Sequence, residues 1–209
     1  MKHSTAEILR EYPFPEAETV AGVSFDGENV WFAAGDMLNA FDPETGKTLR
    51  SIDVAAHAGT AYDGRYFYQI AGDRIQKIDP DTGKVLSTIP SPGGGRDSGM
   101  TWAEGRLWVG QYRERKIHQI DPETGAILRT IESNRFVTGV TWVDGELWHA
   151  TWEAEQSDLR RVDPQTGKVL ETLDMPAGMG ISGLESDGGD RLFCGSGNAR
   201  VIRAVRRPR

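Results

Sequence analysis

The chain has 209 residues, with 24 Lys and Arg against 31 Asp and Glu, a formal net charge of −7 and one cysteine, Cys194. The acidic balance argues against nucleic acid as a partner, since phosphate contacts require a basic surface. A lone cysteine forms no internal disulfide and fits a reducing compartment, and no apolar run approaches the ~18–20 residues of a membrane span, so no membrane partner is expected.

The segment MKHSTAEILREYPF (1–14) lacks the uninterrupted apolar stretch of a leader peptide, and a cytoplasmic location is expected. AEILREYPFPEAETVAG (6–22) has the shape of GKVLETLDMPAGMGISG (167–183), which predicts a strand over 8–14. Five copies of one pattern follow. Each opens on a glycine (Gly22, Gly59, Gly99, Gly139, Gly183), at spacings of 37, 40, 40 and 44 residues. Two apolar runs come next, as in AGVSFDGENVWFA or TGVTWVDGELWHA, and four copies end on a turn and strand such as IDPDTGKVLSTIP.

In the second copy the strand signals fall at 59–62, 66–70, 74–78 and 85–89, rich in Val, Ile, Tyr and Phe and bounded by Gly, Asp and Pro. A four-strand unit repeating near 40 residues predicts an all-β, five-bladed β-propeller, a single domain over 1–209. The blades are expected near 20–53, 57–90, 97–132, 137–174 and 181–205. The fifth copy stops at its third strand, so residues 7–14 are expected to supply the fourth and close the ring. A closed ring needs no second copy, and a monomer is expected.

Between first and second strands stands Asp-Gly (Asp26-Gly27, Asp63-Gly64, Asp144-Gly145, Asp187-Gly188) or Glu104-Gly105, suited to tight turns with positive φ. Between third and fourth strands stands Asp-Pro-x-Thr-Gly. Its aspartates, Asp42, Asp79, Asp121 and Asp163, are read as turn-formers whose carboxylates accept from nearby amides. The C-terminal VIRAVRRPR, with Arg203, Arg206, Arg207 and Arg209, is read as a solvated tail.

Those turns occupy one face and barely vary. The opposite face carries the variable loops, where binding and catalysis usually sit; a pocket is expected there, at the mouth of the central channel. Residues that break the repeat are its candidates. Two positions before the glycine, His57 and Asp97 are the polar exceptions; two positions after it, Glu185 is the ionisable one. These three could be mixed N/O metal ligands, an acid/base set or the lining of a polar channel. No H-x-H spacing supports a metal, and no metal or cofactor is expected.

Trp31, Trp108 and Trp148, with Phe67 and Phe193, read as one core layer. The next position holds Phe32, Tyr68, Val109, His149 and Cys194. Trp152 stands outside the repeat, and with Tyr112 it could wall a ligand, Gln111 and Arg113 giving polar contacts. Arg96, Arg113 and Arg135 would favour a carboxylate or phosphate if they converged.

GELWHATWEAEQ, DPQTGKVL and ISGLESDGGDRLFCGSGNARVIR, within 145–203, resemble the plant-type glutaminyl-peptide cyclotransferases, five-bladed propellers that convert N-terminal glutamine to pyroglutamate. The family shows a similar G-x-x-L-Y-x-x-x-W, then G-L-x-x-D-G-x-x-L-Y-x-S-D-G. The resemblance puts Trp152 on the family's active-site tryptophan, Gly183-Leu184 on its G-L pair and Gly195-Ser196-Gly197 near its S-D-G. It implies a pocket for a small molecule or a peptide terminus. The chain departs in blade one. Where the family has Y-E-S-T-G, with its proton-transfer glutamate, this chain has Trp31-Phe32-Ala33-Ala34-Gly35, and Phe32 holds the glutamate's place. Fold and pocket therefore follow from the resemblance, while cyclisation lacks its expected proton carrier, unless Glu185 or His149 substitutes. Two other readings use the same face: a non-catalytic ligand- or protein-binding propeller, and a metal-dependent lyase or hydrolase of streptogramin-lyase type with His57 as its histidine.

Overall fold

A computed structural model describes residues 2–208. All twenty regular elements among them are β-strands, and none is a helix long and apolar enough to cross a membrane. Two strands, β1 (Lys2–Thr5) and β2 (Ile8–Pro13), precede the first blade. Blade one is β3 (Val23–Phe25), β4 (Val30–Phe41) and β5 (Thr48–Ala56). Here β4 serves as second and third strand at once: Val30 to Phe32 pair with β3, and Gly35 to Phe41 pair with β5. Blade two is β6 (Thr60–Tyr62), β7 (Phe67–Ala71), β8 (Arg74–Ile78) and β9 (Val85–Pro90). Blade three is β10 (Asp97–Ala103), β11 (Arg106–Gln111), β12 (Lys116–Ile120) and β13 (Ile127–Glu132). Blade four is β14 (Val137–Val143), β15 (Glu146–Thr151), β16 (Asp158–Val162) and β17 (Val169–Asp174). Blade five has β18 (Gly183–Ser186), β19 (Arg191–Gly195) and β20 (Val201–Arg206), and β2 completes it.

Ring closure follows the expectation: β2 lies antiparallel on β20, with Glu11 opposite Arg203 and Tyr12 opposite Ile202. One strand is additional. β1 runs parallel to β17, with His3 opposite Thr172, so the N-terminal arm binds two neighbouring blades. The C-terminal arginines are not a free tail. Arg203 pairs with Glu11 at 2.6 Å, Arg206 with Glu7 at 2.7 Å, and Arg207 with Asp144; Arg209 lies outside the described residues. Glu7 and Glu11 on the arm and Asp144 in the first turn of blade four supply partners that the tail alone could not.

The core is five apolar layers, one between each pair of adjacent blades. Tyr12, Phe14, Phe32, Phe41 and Phe193 fill the layer between blades five and one, and Trp31, Leu38, Phe67 and Ile78 the next. Each such side chain contributes roughly 1.5–3 kcal/mol by leaving water. At the axis the five leading glycines let the inner strands meet backbone to backbone. A Cβ on Gly99 would lie 2.6 Å from Gly139 Cα, and one on Gly139 would lie 2.6 Å from Leu184 N.

The turns behave as read. Asp79 Oδ1 accepts from the amides of Asp81 at 2.8 Å and Thr82 at 3.3 Å, and these donors hold its carboxyl below the ordinary range. Gly83 takes φ +70° just before the fourth strand. The first turns differ in length. Ala103 pairs with Arg106 across two residues, Glu104 and Gly105, both at positive φ, as a type I′ hairpin requires. In blade two Tyr62 pairs with Phe67 across four residues.

That extra length corrects one register. Opposite the second residue after each leading glycine stand Trp31, Tyr68, Trp108, Trp148 and Phe193. Tyr68, not Phe67, therefore belongs to the aromatic layer. The next position holds Phe32, Gln69, Val109, His149 and Cys194.

Candidate functional site

The residues singled out by the repeat do not form one constellation. His57 is exposed, and its place is set by its backbone amide, which donates to Ile70 O at 3.1 Å. Asp97 organises its own loop: both carboxylate oxygens accept from Gly93 N, at 2.9 and 3.0 Å. Gln111 is buried and extends Nε2 to the same carboxylate at 3.5 Å. Glu185 lies on the other side of the glycine ring. His57 and Asp97 precede their glycines by two residues and Glu185 follows its own by two, about 13 Å of extended chain at roughly 3.3 Å per residue. No hydrogen bond or ion pair joins Glu185 to His57 or Asp97 among the described residues, and no three His, Cys, Asp or Glu there come together in a metal-holding group.

Glu185 is 8% exposed; its Oε1 accepts from Thr141 Oγ1 and from Ser186 N at 2.9 Å. Burial raises its carboxyl to about 8, against the pull of those donors. His149, buried against the blade-three layer, is lowered to about 4 by desolvation. The Cys194 thiol is raised to about 12 by the same cause. At neutral pH both are uncharged and neither is poised to exchange a proton. Gln69 is fully buried, and its Nε2, with two N–H donors, lies within reach of three carbonyls, Ala58 O, Gly59 O and Ile70 O.

Two of the wall residues do meet. Tyr112 Oη donates to Trp152 O at 3.2 Å, and the Tyr112 ring packs on Phe136 with centroids 4.8 Å apart. The Trp152 indole lies against Gly180, where a Cβ would fall 3.4 Å from its ring. This joins loops of blades three, four and five into one half-buried rim. The arginines go separate ways. Arg96 approaches Glu114 at 3.8 Å, Arg135 lies 3.6 Å from Asp158, and Arg113 is exposed. Arg115, which the repeat did not mark, covers Phe136 and pairs with Glu153 at 2.5 Å.

A cleft of about 470 Å³ opens between the closing strand and blade one. Its apolar wall is Phe14, Phe32, Ala34 and Met37, and its rim carries Glu16, Glu18 and Asp36. Phe32 is 2% exposed with its ring centroid 4.5 Å from that of Phe14. Glu18 reaches over the bend of β4, so that a Cβ on Gly35 would lie 2.5 Å from its Oε2. The sequence signal for this cleft existed: matching 6–22 to 167–183 makes 14–22 a variable loop like the others, with two glutamates in it.

Comparison with solved structures finds the same fold in the crystal structure of Myxococcus xanthus glutaminyl cyclase. The TM-score is 0.80 at 18% identity, over 98% of this chain and 97% of that one. The WD40 β-propeller domain of Doa1 is similar at a TM-score of 0.59 and 16% identity, over 91% of this chain and 64% of that one. Kuenenia stuttgartiensis hydrazine synthase is similar at 0.55 and 17%, over 86% and 56%. No curated protein matches the chain. The sequence model of a family described as a domain of unknown function (DUF5074) matches residues 46–187, more than half of the chain, and the chain belongs to that family.

Proposed function

We propose that this is a glutaminyl-cyclotransferase-like propeller that binds the amine of a small molecule or peptide terminus in the cleft beside blade one, without cyclising it. The observation that carries the reading is Phe32. At the place of the expected proton-transfer glutamate it forms apolar floor, while Glu16, Glu18 and Asp36 put carboxylates on the rim. An apolar cleft with a few placed charges of one sign suits an ammonium on an apolar body. Of the equivalent positions, Val109 and Gln69 do not ionise, and His149 and Cys194 titrate far from neutrality. The Tyr112–Trp152 rim, with Gln111 beneath it and Arg113 beside it, is the second ligand-facing surface of the proposal.

The test is titration of peptides bearing N-terminal glutamine, free or Nα-acetylated, with mass spectrometry for loss of ammonia. Saturable binding of the free amine, weakened several-fold by acetylation and by Glu18→Gln with Asp36→Asn, is expected, with no ammonia released above the spontaneous rate. Turnover that Glu185→Ala or Trp152→Ala abolishes would overturn the non-catalytic reading. Binding indifferent to the amine would overturn the assignment of the cleft.

A further inference from the structure

A second cavity, of about 490 Å³, lies at the outer end of blade four and is lined by Arg135, Ser157, Asp158 and Arg160, with His3 and Asp174 at its edge. Two guanidinium groups converge on one carboxylate inside it. Arg160 forks Asp158, Nε to Oδ1 at 2.8 Å and Nη2 to Oδ2 at 3.0 Å. Arg135 approaches the same carboxylate at 3.6 Å. Two guanidinium groups therefore share one acid, and the side chains of Arg160 and Asp158 are only 10% and 9% exposed. The other acid, Asp174, stands at the edge, where its Oδ2 lies 2.6 Å from His3 Nε2.

Around the shared, largely buried carboxylate of Asp158 two guanidinium charges therefore face a single acid. Beside it the Ser157 hydroxyl, 4% exposed, has no hydrogen-bond partner among the described residues. Buried hydroxyls are nearly always paired. The arginines are held in place. Arg160 Nη1 donates to Asn134 Oδ1 at 2.5 Å, and Arg135 donates to Thr151 Oγ1 at 3.1 Å and Gln156 O at 3.0 Å.

We propose that this cavity is an oxyanion site: a carboxylate or phosphate group of a small molecule accepts from Ser157 Oγ and the Arg135 guanidinium. Guanidinium beside hydroxyl is the donor set that such groups select. The site is separate from the acidic cleft beside blade one, and β1 forms part of its edge through His3.

The experiment is titration of the full chain with acetate and with inorganic phosphate, each against chloride at equal ionic strength, following amide and arginine Nε–H resonances by NMR. Saturable shifts centred on Ser157 and Arg135 are expected from at least one anion, and the stronger arm distinguishes a carboxylate from a phosphate source. Ser157→Ala removes no existing bond, so the fold is retained; it should weaken that binding about tenfold, the loss of one charge-assisted hydrogen bond. Asn134→Ala, which leaves Ser157 and Arg135 in place, should weaken it less. Shifts no larger than those from chloride, or equal affinity in Ser157→Ala, would overturn the proposal.

Discussion

The Tyr12 hydroxyl donates to the Pro43 carbonyl at 2.7 Å, across the layer between blades five and one. It fastens the strand that closes the ring to the first Asp-Pro-x-Thr-Gly turn. The ring itself is 3% exposed and packs 4.9 Å from Phe41, centroid to centroid. Tyr12→Phe should cost about 1–2 kcal/mol, because a buried carbonyl loses its short donor and keeps only Arg10 Nη1 at 3.4 Å. Tyr12→Ala should cost about 3–5 kcal/mol by leaving a cavity at the closure. Urea unfolding of the two variants checks the order, and equal midpoints would mean that the hydroxyl, not the packing, carries the closure.

The axis admits no side chain at the leading glycines. In Gly99→Ala the new Cβ would meet Gly139 Cα and Val140 N, both at 2.6 Å, and these are backbone atoms that no rotamer change can move aside. The inner strands must separate, at a cost of about 3 kcal/mol or more. Gly105→Ala, at an exposed turn with nothing within 4 Å of the new Cβ, pays only for its φ of +76°, about 1 kcal/mol. Thermal melting of both variants separates the two causes.

The architecture was legible because the repeat encodes it redundantly: five glycines, five first turns and four Asp-Pro-x-Thr-Gly turns. The copy that broke off announced its own completion by β2. Register was less legible. Asp-Gly opens a two-residue hairpin in blade four and a four-residue one in blade two, so counting from the dipeptide misplaced Phe67 and hid Gln69. The site was least legible. Deviation from the repeat marked His57, Asp97 and Glu185, but chain direction puts Glu185 beyond the glycine ring from the other two. The cleft beside blade one and the cavity at blade four are lined by Glu18, Ser157 and Arg160 instead. These positions become partners only when β1, β2 and the loops are folded against neighbouring blades, which no single copy records.

Cys194 should be silent in the native state. Its thiol is 1% exposed and raised to about 12, so neither access nor thiolate is available near neutrality. Iodoacetamide at pH 8 should label the native protein at least a hundredfold more slowly than the unfolded chain. The labelling rate then reports opening of blade five, and Tyr12→Ala should raise it. Rapid labelling of the native protein would show that β19 is solvent-accessible.

Glu185 and His149 act on stability in opposite directions. The carboxyl of Glu185 rises from an ordinary 4.5 to about 8 on folding. Its favourable contribution is complete below pH 4.5 and falls by about 1.4 kcal/mol per pH unit up to about 8, since only the unfolded chain ionises there. The imidazole of His149 falls from 6.5 to about 4. Its contribution is complete above pH 6.5 and is lost as the pH drops toward 4. Between about 4.5 and 6.5 the two slopes cancel, and above 6.5 the carboxylate alone remains. Glu185→Gln keeps an oxygen for Thr141 and Ser186 but cannot ionise. The variant should match the native chain near pH 4.5 and exceed it by a few kcal/mol at pH 9, with its stability rising from 4.5 to 6.5 and then level. Urea midpoints at pH 4.5, 6.5 and 9 test this; curves that run parallel would show that the buried carboxyl titrates normally, with water reaching it past Thr141.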